Sequence, residues 1–261
     1  MTSGAQAKRF RLVVEYDGTA YGGWQVQPNA PSIQQSLIDA ARPLSSSDVD
    51  VQGSGRTDAG VHACGQVAHL ALVTRLEAGD VERALNARLP RDIRVLEVAR
   101  ASDSFHARFS ARGKRYLYAL ETARRLSVFD RGRVWHVPGA LSIEAMRAGA
   151  KELVGRHDFS AFSSKAGERP DNVRRVTAIR IRPARRTKLL VFVAGEGFLY
   201  NMVRTMVAAL VAVGRSELDP ADLKAALTHR DRARLPATAP PQGLYLWRVR
   251  YGPKADRGDG R

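Results

Sequence analysis

Gly53-Ser54-Gly55-Arg56-Thr57-Asp58-Ala59-Gly60-Val61-His62-Ala63 lies between two short apolar runs, and reading those runs as strands organises the first half of the chain. The stretch has three glycines and no apolar periodicity, so it reads as a loop whose backbone can take positive φ and approach a ligand closely. Before it, Asp48–Gln52 reads as a short strand; after it, Gln66–Val73 reads as a longer one. Working outward, Arg9–Tyr16 alternates as a strand and Ser32–Ala41 is a helix with a serine cap. Asp80–Leu89 is a capped helix closed by Pro90, and Ile93–Arg100 is a strand. The order β-α-β-β-α-β is the split βαβ, or ferredoxin-like, arrangement.

The second half runs similarly. Lys114–Glu121 and Val134–Val137 read as strands, Ser142–Leu153 as a capped helix, and Val173–Arg182 with Leu189–Ala194 as a hairpin around Arg185-Arg186-Thr187-Lys188. Phe198–Val213 reads as a long helix closed by Gly214, where a glycine past the helix end belongs. Asp219-Pro220 starts a further helix and Leu244–Tyr251 closes as a strand, while residues 155–172 and 228–243 read as long polar or proline-rich loops. The expected fold class is α+β. Two ferredoxin-like (RRM-like) halves share one extended, mainly antiparallel sheet with helices packed on it. The expected divisions are a flexible N-terminus at residues 1–8, an N-terminal half at 9–107, a C-terminal half at 108–252 and a disordered tail at 253–261.

Composition narrows the partner. Lys and Arg number 42 against 26 Asp and Glu in 261 residues, a formal net charge of +16, and 44% hydrophobic residues indicate a globular chain. A cationic surplus of that size points to a polyanion, and nucleic acid is favoured over a membrane surface because no basic amphipathic terminal helix or lipidation signal is present. The single cysteine, Cys64, excludes an internal disulfide, and its spacing to His62 and His69 matches no usual metal-ligand pattern. Residues Met1 to Lys8 contain no apolar run of the secretory type, so a cytoplasmic chain is expected.

Three segments carry candidate chemistry. In the glycine-rich loop, Arg56 suits stacking or phosphate contact and Asp58 is a ready nucleophile. The dinucleotide fingerprint fails there because its third glycine falls on Asp58, and the P-loop fails because Val61 follows Gly60. The helix at 198–213 is apolar on nearly every face yet contains Arg204. That guanidinium either meets an anion, for which Asp58 is suited, or snorkels to the surface. Finally, four basic residues between 108 and 115 are interleaved with Phe109 and Tyr116. Such a segment either pairs phosphates and stacks an unstacked base, or is a solvated basic face over core tyrosines; Tyr116 and Tyr118 share one side of their strand.

Gly55-Arg56-Thr57-Asp58-Ala59-Gly60-Val61-His62-Ala63 followed by Gly65-Gln66-Val67 resembles the signature of the TruA family of tRNA pseudouridine synthases. So do Tyr16-Asp17-Gly18-Thr19, Gly23-Trp24-Gln25, Phe105-His106-Ala107-Arg108-Phe109, Lys114-Arg115-Tyr116, Met202-Val203-Arg204 and Gly243-Leu244-Tyr245-Leu246, in the family's order along nearly the whole chain. The resemblance implies the pseudouridine-synthase fold, a homodimer, and uridines 38, 39 and 40 of the tRNA anticodon arm as targets; because that isomerisation has no net redox change and no group to activate, no cofactor and no metal are expected. It implies Asp58 as the nucleophile, Arg56 as the residue that displaces the target base, Tyr116 as the ring that stacks on uracil, Arg204 as the partner of Asp58, and Leu244 as packing for the base pocket. One position departs from the pattern: Ala208 stands where relatives commonly carry glycine, which bears on packing.

The chemistry agrees with this set. Isomerising uridine breaks the C1′–N1 bond, turns the uracil and forms a C1′–C5 bond without net redox change. An unperturbed aspartate, with a pKa of about 3.9, is ionised at neutral pH and needs no neighbouring base. A non-catalytic RRM-like module is the main alternative, but no RNP1-type aromatic strand is present; a deaminase would need zinc-binding cysteines that the chain does not have. RNA binding is expected to weaken steeply between low and moderate salt, because several phosphates are neutralised. A flat salt response in a filter-binding assay with tRNA would remove the electrostatic basis of this reading.

Overall fold

The computed structural model describes residues 7–164 and 171–252. The segments expected to be flexible at 1–8 and disordered at 253–261 therefore lie outside the described residues, except for Ala7 and Lys8, which belong to the first strand. Ten strands and five α-helices among the described residues make a mixed α+β fold whose sheet pairing is mainly antiparallel, as the sequence patterns predict. No described helix is long and apolar enough to cross a membrane.

The chain divides into two compact units, Met1–Arg112 with Leu246–Arg261, and Gly113–Tyr245. In the first, β1 (Ala7–Tyr16) buries Phe10, Leu12, Val14 and Tyr16, alternate residues of one strand face. Helix α1 (Ile33–Ala41) is capped by Ser32, whose Oγ accepts the Gln35 N–H at 3.2 Å, and it buries Ile33, Leu37, Ala40 and Ala41. Strand β2 (Val51–Gly53) pairs with β3 (His62–Val73), which pairs antiparallel with β1, and β1 pairs with β4 (Ile93–Arg100). The β-α-β-β-α-β order is therefore realised.

Among the boundaries in this unit that differ from the sequence reading, two have identifiable reasons. Helix α2 runs Ala78–Asn86 because Glu77 and Asp80 form a reciprocal capping box at its start. At its end the Asn86 side chain leaves the helix direction to bond both the N–H and the carbonyl of Val95. Strand β3 begins four residues earlier than predicted. It is buried along almost its whole length, so it has no apolar–polar alternation to reveal its start. The closing strand is Leu244–Arg250, and from Leu246 onward the chain belongs to the first unit.

In the second unit the strands β5 (Gly113–Glu121), β9 (Lys188–Gly195), β8 (Val173–Pro183) and β7 (Gly155–Asp158) lie side by side in that order, with β6 (Trp135–His136) parallel to the end of β5. Strand β7 corrects the expectation of an unbroken loop over 155–172. Its Gly-Arg-His-Asp sequence has no apolar alternation, and it is a strand because its backbone pairs with Val173–Val176. Helices α3 (Ile143–Leu153) and α5 (Pro220–His229) start where predicted, at Ser142 and Asp219. Helix α4 spans Met202–Gly214, so the expected start at Phe198 is wrong. Asn201 sits in the left-handed region at φ 61°, which helical backbone cannot continue through. Gly214 is the last helical residue rather than a terminator, and it is needed for packing. A Cβ there would lie 2.8 Å from Met146 Cγ on α3.

His69 on β3 offers a test of the first unit's packing. Its ring is buried beside His106, with centroids 4.7 Å apart, and its Nδ1 accepts the Ala107 N–H at 3.2 Å. Burial first, then the neighbouring His106 and Arg9, push its pKa down to about 4. The unfolded chain thus takes up a proton near the ordinary histidine value of about 6.5 that the folded chain refuses until about 4. Urea-denaturation stability should fall as pH drops from 7.5 through 5, and His69→Gln should flatten that fall; an equal pH slope in the variant would show that His69 is not the group responsible.

Candidate active site

Asp58 lies in the connection between β2 and β3, and the backbone on both sides of it is pinned. Ser54 and Gln66 are buried; Ser54 Oγ donates to Gln66 Oε1 at 2.7 Å, and Gln66 Nε2 donates to the Gly55 carbonyl at 2.9 Å. Thr57 is buried with its Oγ1 2.8 Å from the Tyr16 hydroxyl, and burial pushes that phenol far above its ordinary pKa, so it stays protonated. Beyond the carboxylate, Val61 N–H donates to the Asp58 carbonyl at 3.1 Å, and Gly60, at φ 73°, donates its N–H to Tyr21. The Asp58 side chain is half-exposed, whereas Arg56 is exposed and its Nε donates to Gln25 Oε1 at 3.1 Å.

The loop is held against a second segment, Asp17–Gln25. Trp24 N–H donates to the Thr57 carbonyl at 3.0 Å, and this approach requires Gly23: at φ 107°, a Cβ there would lie 2.5 Å from Thr57 O. Gly18 is under the same constraint, since a Cβ would fall 2.0 Å from Val61 O. His62 is buried and its Nδ1 accepts the Gly18 N–H at 3.1 Å, 3.2 Å from the Asp17 carboxylate. The sequence pattern gives Asp17-Gly18 and Gly23-Trp24-Gln25 no role of their own; in the folded chain they support the Asp58 loop.

The remaining candidates belong to the second unit. Tyr116 on β5 faces Val193 of β9 and is half-exposed, with the Phe198 ring set against it at 5.2 Å and 89°. Tyr118, two residues on, is fully buried; its hydroxyl donates to the Pro240 carbonyl at 2.6 Å, and Gly243 packs so closely that a Cβ would lie 2.4 Å from its ring. Burial drives the Tyr118 phenol pKa up against the opposing positive charge of Arg204. The two tyrosines thus differ: Tyr118 is a core residue and Tyr116 is accessible. Leu244, at the start of strand β10 (Leu244–Arg250), is buried.

Arg204 requires a correction. Because α4 starts at Met202, this arginine stands in the helix's first turn rather than its middle, and it is half-buried while every other residue of the helix is buried. Its Nε donates to the Ala239 carbonyl at 2.7 Å and one terminal nitrogen donates to Asn201 Oδ1 at 2.8 Å. A cation in the first turn opposes the helix dipole, so its place there is explained by what it binds. Ala208 is buried in the same helix. Among the described residues no group of three His, Cys, Asp or Glu side chains is placed to hold a metal ion.

Comparison with known proteins adds the family. The family described as tRNA pseudouridine synthase matches residues 12–110 and 150–252, more than half of the chain. A tRNA pseudouridine synthase A from Dinoroseobacter shibae is 43% identical over 247 residues, covering 93% of this chain and 96% of that one. The Maricaulis maris protein of the same name is 44% identical, with 93% and 98% covered, and that of Listeria monocytogenes 40%, with 93% and 99% covered. Among solved structures, an archaeal box H/ACA sRNP Nop10–Cbf5 complex aligns with a TM-score of 0.36 at 15% identity, over 94% of this chain and 49% of that one.

The Gly23–Thr57 contact predicts a specific sensitivity. Gly23→Ala should lower the urea midpoint by an amount equivalent to about 1–3 kcal/mol, the usual cost of forcing atoms into filled space, with added strain from the positive φ. An unchanged midpoint would mean that the two segments do not approach as described.

Proposed function

Because the chain belongs to the TruA family of tRNA pseudouridine synthases, we propose that it isomerises uridine to pseudouridine in tRNA, using Asp58 as the reacting carboxylate on uridines 38, 39 and 40 of the anticodon arm. The observation that carries this reading is the Asp58 loop: a half-exposed carboxylate on a backbone held at Gly55, Thr57, Asp58 and Gly60. A catalytic carboxylate benefits from that restraint, because little motion has to be frozen out as the substrate reacts.

The reaction balances within the substrate. The C1′–N1 bond breaks, the uracil rotates, C5 bonds to C1′ and loses its proton, and N1 gains one; Asp58 serves the glycosidic cleavage as an ionised carboxylate. To reach it, the target nucleotide leaves its stack, at a cost of a few kcal/mol, less in a loop or at a stem end. Contacts between the basic surface and tRNA phosphates offset that cost. Arg56, exposed two residues before the carboxylate, displaces the base and takes its space. Tyr116 stacks its accessible ring on the uracil, braced by Phe198. Leu244 packs the base pocket. Arg204 acts as counter-ion to Asp58, which favours its charged form and orients it. The proposed working assembly is a homodimer, which rests on the sequence resemblance alone.

Asp58→Asn is expected to abolish pseudouridine formation, mapped site by site in tRNA, while tRNA binding and thermal stability stay near those of the unmodified chain. Full activity in that variant would falsify the nucleophile assignment. Binding without product by the unmodified chain would instead favour an RNA-binding module.

A further inference from the structure

Asn201 is the unexplained residue beside Arg204. It occupies the position just before α4, where an asparagine side chain ordinarily accepts a hydrogen bond from the second or third helical N–H. Here its side chain makes no such cap. Its backbone is held at φ 61° and ψ −1°, a left-handed conformation that asparagine tolerates better than most residues but that still costs energy relative to the ordinary helical or extended regions. In that conformation Oδ1 receives the Arg204 guanidinium at 2.8 Å, while Nδ2 donates to Ser164 Oγ at 2.8 Å. Together with the Ala239 carbonyl on Nε, Asn201 meets the guanidinium from a second direction, and two contacts of fixed direction orient a planar group.

We propose that Asn201 is a positioning residue. It gives up its capping bond and takes a left-handed backbone so that Oδ1 sets the plane and direction of the Arg204 guanidinium for the reaction. The inference rests on the role given above to Arg204 and deepens it. Helix α4 supplies the reason such a device is needed. The arginine side chain is long, it stands in a first turn whose dipole repels it, and that turn contains no acidic residue to hold it.

The test compares substitutions that separate the acceptor from the backbone. Asn201→Gly adopts the left-handed conformation at least as easily but has no acceptor. Asn201→Asp restores an oxygen for Arg204 but not the donor to Ser164. Ser164→Ala removes only that second bond. With tRNA saturating, N201G should slow single-turnover pseudouridine formation about 10- to 100-fold, the scale of loss when a reacting group is misplaced by about an ångström. Its tRNA Kd and Tm should stay close to the unmodified values. N201D should recover most of the rate, and S164A should leave it unchanged.

If N201D is as slow as N201G, or if S164A is as slow as either, the acceptor role is overturned. Should N201G melt at a lower temperature, the comparison with N201D is made at a temperature where both are folded, and the same outcomes decide. Arg204→Gln separates the two levels of the proposal. If R204Q is slow and N201G is at full rate, only the positioning role falls; if R204Q is at full rate, the function of Arg204 falls and the role of Asn201 falls with it.

Discussion

The approach of Gly23 to the Thr57 carbonyl is the constraint on which the loop carrying Asp58 depends. Backbone meets backbone there, with the Trp24 N–H bonded to Thr57 O at 3.0 Å, and no side chain fits between. The neighbouring restraints follow the same logic. Gly18 lies under Val61, Gly60 turns the chain at positive φ, and the buried Ser54–Gln66 pair holds the loop's entrance. Each restraint is a short-range contact that a side chain or a solvated loop would loosen. The loop's glycines therefore serve rigidity, by letting segments touch, rather than the flexibility their composition suggests. A carboxylate mounted this way needs only its charge to be managed.

The second unit meets an opposite problem, a charge in an apolar helix. Every residue of α4 except Arg204 is buried, so the helix is held by its fit into the core, and Gly214 permits its close contact with Met146 on α3. The guanidinium is accommodated at the end of the helix instead of within it. There Asn201 and the Ala239 carbonyl supply acceptors, and the arginine is half-buried. Placing the cation at the helix start opposes the dipole but avoids the much larger cost of an unpaired charge in the interior. Tyr118 and Tyr116 divide similar labour on one strand, the first donating to Pro240 inside the core and the second left with an accessible ring.

Much of this architecture was legible in the residues. The alternation of Arg9–Tyr16, the serine caps at Ser32 and Ser142 and the Asp219-Pro220 start are local signals, and local physics decides them. What escaped was decided by distant partners. Strand β7 has no pattern of its own and exists through its pairing with β8; β3 is buried on both faces, so its true length does not alternate. The early helix start at Phe198 followed apolar content, whereas the actual start follows the left-handed turn at Asn201, a single dihedral that composition does not encode. At the site, the residue types in the Arg56-Thr57-Asp58 loop were readable as chemistry, but the reason for Asp17-Gly18 and Gly23-Trp24-Gln25 was not, because their role is contact with a loop some forty residues away.

The sequence by itself determined the α+β class, the excess of positive charge suited to a polyanion, and the membership of a family whose motifs span the chain, because these depend on composition, periodicity and the order of short blocks. Only the tertiary structure decided which glycines are close-contact points, that Tyr118 is core while Tyr116 is accessible, and that Arg204 stands at a helix end in the grip of Asn201. Those outcomes depend on distances between segments far apart in the chain, and a linear pattern specifies which groups are available without specifying which of them meet.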